Sequence, residues 1–110
     1  MRVSTTPTVM EEIGNWPGVI IEDDGRNSVQ FLYGKMELGH MHGHHVAHLP
    51  MPRKIRDALI EEGRATSHPV MPESGWVQRL IASTDDTRDV IALFRMNYDR
   101  ATRRSRFSTR

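Results

Sequence analysis

Five of the six histidines in this chain fall between positions 40 and 48: His40, His42, His44, His45 and His48. A neutral imidazole is a common metal ligand, and its charge changes near physiological pH. His40 and His42 form a His-x-His pair. On a strand both rings would share one face, because strand side chains repeat every two residues. A two-residue turn at Gly43-His44 would set His45 opposite His42. His40, His42 and His45 would then converge from adjacent strands. Such a trio suits a divalent ion such as zinc, at about 2.0–2.1 Å per nitrogen with a fourth position open. Against it, no acidic partner that would orient the rings is evident nearby, and no glutamate follows the pair before Asp57. The alternative is a metal-free face. His40 then sits at the core edge with a hydrogen-bonded ring, and His44, His45 and His48 are solvated.

Trp76 opens a strand running to Ala82. Alternation puts Trp76 with Gln78 and Leu80, and Arg79 with Val77 and Ile81. Trp76 reads either as core or as a ligand-pocket wall beside His68 and Ser74. Arg95 and Arg100 flank Tyr98. They suit the negative end of a helix, or else form a phosphate-reading patch. There is no Ser-His-Asp order, P-loop or dinucleotide fingerprint. With no cysteine, disulfide scaffolds, zinc ribbons and thiol catalysis are excluded.

The elements that must hold these groups follow from local patterns. Thr6-Pro7 reads as a helix cap and first turn, with Val9, Met10 and Ile13 on one face. A short strand covers Val19 to Glu22, and Asp24-Gly25 is a turn. Val29, Phe31 and Tyr33 alternate with polar residues, as do Met36, Leu38 and His40. A two-residue hairpin at Gly34-Lys35 pairs Tyr33 with Met36, Phe31 with Leu38 and Val29 with His40, all six on one face. The turn at Gly43-His44 continues this into a meander, with His40 facing Ala47 and Leu38 facing Leu49. Pro52 opens a second helix that stops at Gly63. Residues 66–70 extend weakly. Ser83 or Thr84 caps a last helix whose stripe is Val90, Ile91, Phe94 and Tyr98. The order is α-β-β-β-β-α-(β)-β-α. Consecutive strands favour an α+β fold, an antiparallel sheet with helices on one face.

The chain has 110 residues, the size of one domain. Residues 1–102 read as that domain and residues 103–110 as a basic, flexible tail. Residues 100–110 hold five arginines, leaving residues 1–99 at −4 within the total of +1. The tail could touch nucleic acid, acidic lipid or nothing. Phe107 is its one apolar anchor, so residues from about Arg103 onward are expected to be poorly ordered or held only by another chain, as in a homodimer. No apolar run long enough to span a membrane and no signal-peptide stretch is visible, so a cytoplasmic location is expected.

Four segments carry a family resemblance. They are Glu37-Leu38-Gly39-His40-Met41-His42-Gly43, Leu49-Pro50-Met51-Pro52-Arg53, His68 to Trp76, and Ala92 to Arg100. Together they resemble the luciferase-domain family, a family of unknown function, over about Trp16 to Ala101. The name does not imply light emission. A bacterial luciferase subunit is a TIM barrel of roughly 250 residues. The family often has acidic residues where this chain has His44 and His48, so a site relying on a carboxylate there would be altered. The order of elements is also similar, at fold level, to the YjbR/MmcQ-type domains, some of them suspected DNA binders. The combined expectation is a binding or accessory domain of unknown ligand, with His40, His42, His68, Ser74 and Trp76 lining any site. The alternatives are a metal-dependent enzyme on His40, His42 and His45, and a nucleic-acid module using the Arg-rich end.

Overall fold

A computed structural model of the protein describes residues 8–108. The first helix, α1 (Val9–Gly14), starts on Thr8. The Thr8 hydroxyl accepts from the Glu11 amide, and the Glu11 carboxylate accepts from the Thr8 amide. This reciprocal capping box satisfies two helix-end donors. Thr6 and Pro7, the expected cap, lie outside the described residues. There follow β1 (Val19–Asp23), β2 (Ser28–Tyr33), β3 (Met36–His42), β4 (Val46–Pro50), α2 (Arg53–Glu61), β5 (Thr66–Ser67), β6 (Trp76–Leu80) and α3 (Thr84–Ser108). The strands form one sheet, ordered β1-β2-β3-β4-β6-β5, with every neighbouring pair antiparallel. This is the α+β architecture and element order expected from the sequence. The helix α3 continues through the first residues of the basic segment.

Helix α3 packs on β2, β3 and β4, and α1 packs on α3 and β1, while α2 lies against β5. The core sits between the sheet and α3. Phe31 and Phe94 meet edge to face at 5.2 Å, both fully buried. Tyr98 stacks against Trp16 and Tyr33, and its hydroxyl donates to the Pro17 carbonyl at 2.6 Å. That bond fastens the loop after α1 to the last helix. Arg79, expected on the face of Val77 and Ile81, points to the helix side and pairs with Asp86 and Asp89 of α3.

The sheet departs from the expected register at two places, and both matter for the histidines. Tyr33 pairs with Met36 as expected, and Leu32 with Glu37, but Phe31 then pairs with Gly39. Leu38 is the extra residue of a β-bulge. The expected pairs Phe31–Leu38 and Val29–His40 are replaced by Phe31–Gly39 and Val29–Met41. Leu38 and Met41 are both buried, although an odd spacing separates them. His40 and His42 are therefore turned to the opposite face from the one expected. Gly39 makes this possible. Its φ is +148°, and a Cβ there would lie 2.6 Å from the Phe94 ring and 2.8 Å from the His48 carbonyl.

The second turn takes three residues, Gly43, His44 and His45, rather than two. His42 pairs with Val46, Met41 with Ala47 and His40 with His48. Contacts from outside the hairpin hold this longer turn. The Gly43 amide donates to the Asn27 carbonyl at 2.7 Å, and the His45 carbonyl accepts from the Ile81 amide at 2.8 Å. Neither partner is near in sequence, so the turn type could not be read from the local residues.

Candidate metal centre on the sheet face opposite α3

One row of residues crosses the sheet through its central strands: Gln30, His40, His48, Gln78 and Thr66, from β2, β3, β4, β6 and β5. His42 lies two residues along β3 on the same face. The rings of His40, His42 and His48 are mutual neighbours, with centroids 4.8–5.3 Å apart. One ring nitrogen from each lies within 4.8 Å of the other two. His48 is buried, His40 half-buried and His42 exposed. His68 follows β5 and stacks against His48 at 4.3 Å.

With Gln78 Oε1 as the acceptor, one arrangement of ring protons satisfies the hydrogen bonds. His40 Nδ1–H donates to Glu37 Oε2 at 2.7 Å, leaving a lone pair on Nε2. His48 Nε2–H donates to Gln78 Oε1 at 2.9 Å, leaving a lone pair on Nδ1. These two free nitrogens face each other 3.4 Å apart. His42 has Nδ1 at 3.3 Å from Ser28 Oγ, which leaves Nε2 to serve as ligand. His68 Nδ1 accepts from the Val70 and Met71 amides at 3.1 and 3.2 Å. Its proton is therefore on Nε2, and it offers a donor rather than a lone pair.

The electrostatics disfavour charge on two of these rings, His42 and His68. Burial pushes the His42 pKa below its ordinary value, and the neighbouring His40 and His48 push it further, against the pull of Asp24. Burial lowers that of His68 as well, followed by His48, His40 and His42. Each ring disfavours a second positive charge beside it. Neutral imidazoles are the form that coordinates metal.

The site differs from the expected one in particular residues. His40 and His42 belong to it, but the expected third member, His45, does not. The three-residue turn carries His45 to the strand end, where its Nδ1 lies 3.4 Å from the Ile81 carbonyl. There it lines a separate hollow with Met10, Met41 and Ile81. His48 takes the third place. Trp76 is half-buried and stands beside His40 at 5.2 Å and His68 at 6.4 Å, so it walls the histidine face. Ser74 spends its hydroxyl on its own loop, donating to the Met71 carbonyl and accepting from the Trp76 amide. Glu37 is the orienting carboxylate, and its spacing from His40 hides it in the sequence. On a regular strand, residues three apart face opposite ways. The glycine two residues after Glu37 was the available signal, since a glycine inside a strand often marks a bulge.

A family model described as Luciferase domain matches residues 35–97, more than half of the chain. The chain belongs to this family. The match spans β3, β4, α2, β5, β6 and most of the buried part of α3, and so contains every ring of the cluster. No curated protein and no solved structure gives a match, and a likeness to the YjbR/MmcQ-type domains is not shown. No helix among the described residues is long and apolar enough to cross a membrane.

Proposed function

We propose that this domain binds a divalent transition-metal ion, zinc by ligand type, through His40, His42 and His48. The observation that carries the reading is the pair of facing nitrogens. His40 Nε2 and His48 Nδ1 lie 3.4 Å apart, while Glu37 and Gln78 occupy the other nitrogen of each ring. Two lone pairs that meet without a proton repel, and a cation between them removes the repulsion. The spacing is also close to that in a tetrahedral zinc site, about 3.3 Å for bonds of about 2.0–2.1 Å. His42 supplies the third ligand after a small rotation of its exposed ring. Glu37 then has the role of a carboxylate that fixes a ligating histidine and raises its basicity.

Three imidazoles leave one position for an oxygen ligand. Zinc in such a site supplies Lewis acidity and an activated water. The domain's own contribution is a wall formed by Trp76 and a fixed Nε2–H donor on His68. The primary reading is thus a metal-binding domain, with metal-assisted chemistry at the open position as its extension. A second, metal-free reading rests on the same atoms. If the Gln78 amide is reversed, a proton sits between His48 and His40 and the four side chains form a hydrogen-bonded chain from Glu37 to Gln78.

Isothermal titration with zinc at neutral pH separates the two. The expected result is one ion per chain at micromolar or tighter affinity. It should be lost in His42→Ala and His48→Ala and kept in His45→Ala. Absence of zinc, nickel and cobalt binding by the parent protein would end the metal reading and leave the metal-free chain.

A further inference from the structure

Each of the arginines Arg56, Arg64, Arg79, Arg88 and Arg95 has a carboxylate within 4 Å. Arg26 and Arg53 do not, nor do three at the end of α3. Arg100, Arg103 and Arg104 have no Asp or Glu partner, and every Asp and Glu of the chain lies among the described residues. Residues three and four apart share one helix face, so the three guanidiniums are neighbours. With Met36 they line a hollow of about 230 Å³.

Arg100 is positioned rather than loose. Asn97 is buried, and its Nδ2 donates to the Leu38 carbonyl at 2.8 Å and the Pro50 carbonyl at 2.9 Å. This bridges β3 and β4 where their ladder has opened, and it fixes Asn97 Oδ1 as the acceptor for Arg100 Nη2. The partner is neutral, so the guanidinium charge stays uncompensated. Burial, then Arg104 and Arg103, lower the Arg100 pKa. Arg104 Nη1 rests on Met36 Sδ at 3.7 Å, which turns its head toward the same hollow. Arg95, once grouped with Arg100 by sequence, is elsewhere: it pairs with Asp99 and lies over the Trp16 and Tyr98 rings at 5.1 and 5.0 Å.

We infer that Arg100, Arg103 and Arg104 form a binding site for a phosphate-sized oxyanion, free or as the phosphomonoester of a small molecule. Guanidiniums present planar forks of donors that match phosphate oxygens two at a time. Three of them in one hollow, one held in place by Asn97, supply more donors than a carboxylate uses. The site stands independently of the histidine cluster, since it shares no residue with it.

The test follows the arginine Nε–H resonances of the full, ¹⁵N-labelled chain during titration with inorganic phosphate at constant ionic strength. Arg100, Arg103 and Arg104 should move together and saturate, with a dissociation constant on the order of millimolar or tighter. Sodium chloride of equal ionic strength should move none of them. Arg100→Gln should weaken binding about tenfold or more, and Arg104→Gln, which gives up an exposed contact with Met36 Sδ, several-fold. Arg88→Gln, at the other end of α3, should bind like the parent. Methyl phosphate binding as well as phosphate assigns the site to esters as well as the free ion. A linear, unsaturable response, an equal response to chloride, or undiminished binding by Arg104→Gln overturns the inference. So does tighter binding of longer oligonucleotides without saturable phosphate binding, which would make the patch a nucleic-acid surface.

Discussion

On the α3 side of the sheet, Phe31, Leu38, Leu49, Val77 and Phe94 are all fully buried. On the other side, His40, His42 and His48 meet over Gln30 and Gln78, ringed by carboxylate, amide and hydroxyl groups. The two faces are built from the same strands, yet they tolerate error differently. Apolar side chains pack against α3 wherever the chain delivers them, because burial is non-directional. The imidazoles work as a set only if three strands keep one register. The face opposite α3 is therefore as good as the bulge and the turn that set its register, and the helix-side face much less so.

Gly39 serves both faces, so a substitution there has the largest effect. Gly39→Ala forces a side chain into a φ of +148° and into the Phe94 ring and the His48 carbonyl. Positive-φ strain of about 1–3 kcal/mol adds to overpacking of about 1–3 kcal/mol. Denaturation of Gly39→Ala should show a loss of about 2–6 kcal/mol, and the folded fraction should no longer bind zinc. A variant with parental stability and unchanged zinc binding would show that the bulge does not position the rings.

Much of the fold was legible from sequence because burial and turn chemistry agree locally. The Val29-Phe31-Tyr33 alternation, the Gly34-Lys35 turn, Trp76 to Leu80 and the α3 stripe each carry their own signal. The site was only half legible. His40 and His42 are fixed to each other by adjacency on one strand, whatever the register. His48 and Glu37 join them only through a bulge and a three-residue turn, and these are held by Phe94, Asn27 and Ile81 from distant parts of the chain. A one-residue slip exchanges the faces of a strand. The sequence-based choice of His45 over His48 and the placing of His40 toward the core are both errors of that kind.

A smaller perturbation acts on the histidine face alone. Glu37→Gln keeps the shape and an acceptor for His40 Nδ1–H but removes the charge. Carboxylates in this position typically contribute 10–100-fold in metal affinity, so zinc titration of Glu37→Gln should show a loss in that range. Stability of the metal-free protein should change by no more than about 1 kcal/mol. Unchanged affinity would mean that Glu37 does not orient the ring. A stability loss as large as that of Gly39→Ala would make it a structural residue of the hairpin.

The smallest expected effect is the acid sensitivity of the metal-free protein, and its sign follows from the depressed pKa values of His42 and His68. In the unfolded chain both titrate near the ordinary value of 6.5. In the folded chain they resist protonation. As pH falls through that value, the unfolded state takes up protons that the folded state refuses, so stability declines. The decline continues to the lower, folded pKa and then levels off. Above about pH 7.5 both states hold neutral rings and the contribution disappears. Asp86 acts in a different window. Its carboxyl is held below its ordinary 3.8 chiefly by the Ala82 amide, so its stabilising effect is lost only as the pH drops past that value. Melting temperatures of the metal-free protein measured between about pH 7.5 and about pH 5 therefore report the histidine face without the acidic cap of α3. The melting temperature should fall across that range. His42→Gln removes one of the two groups whose pKa is depressed and should flatten the slope, while the α3 side, which has no group of this kind among its fully buried residues, contributes none of it. A flat profile in the parent protein, or an equal slope in His42→Gln, would show that His42 and His68 are free to protonate in the folded chain.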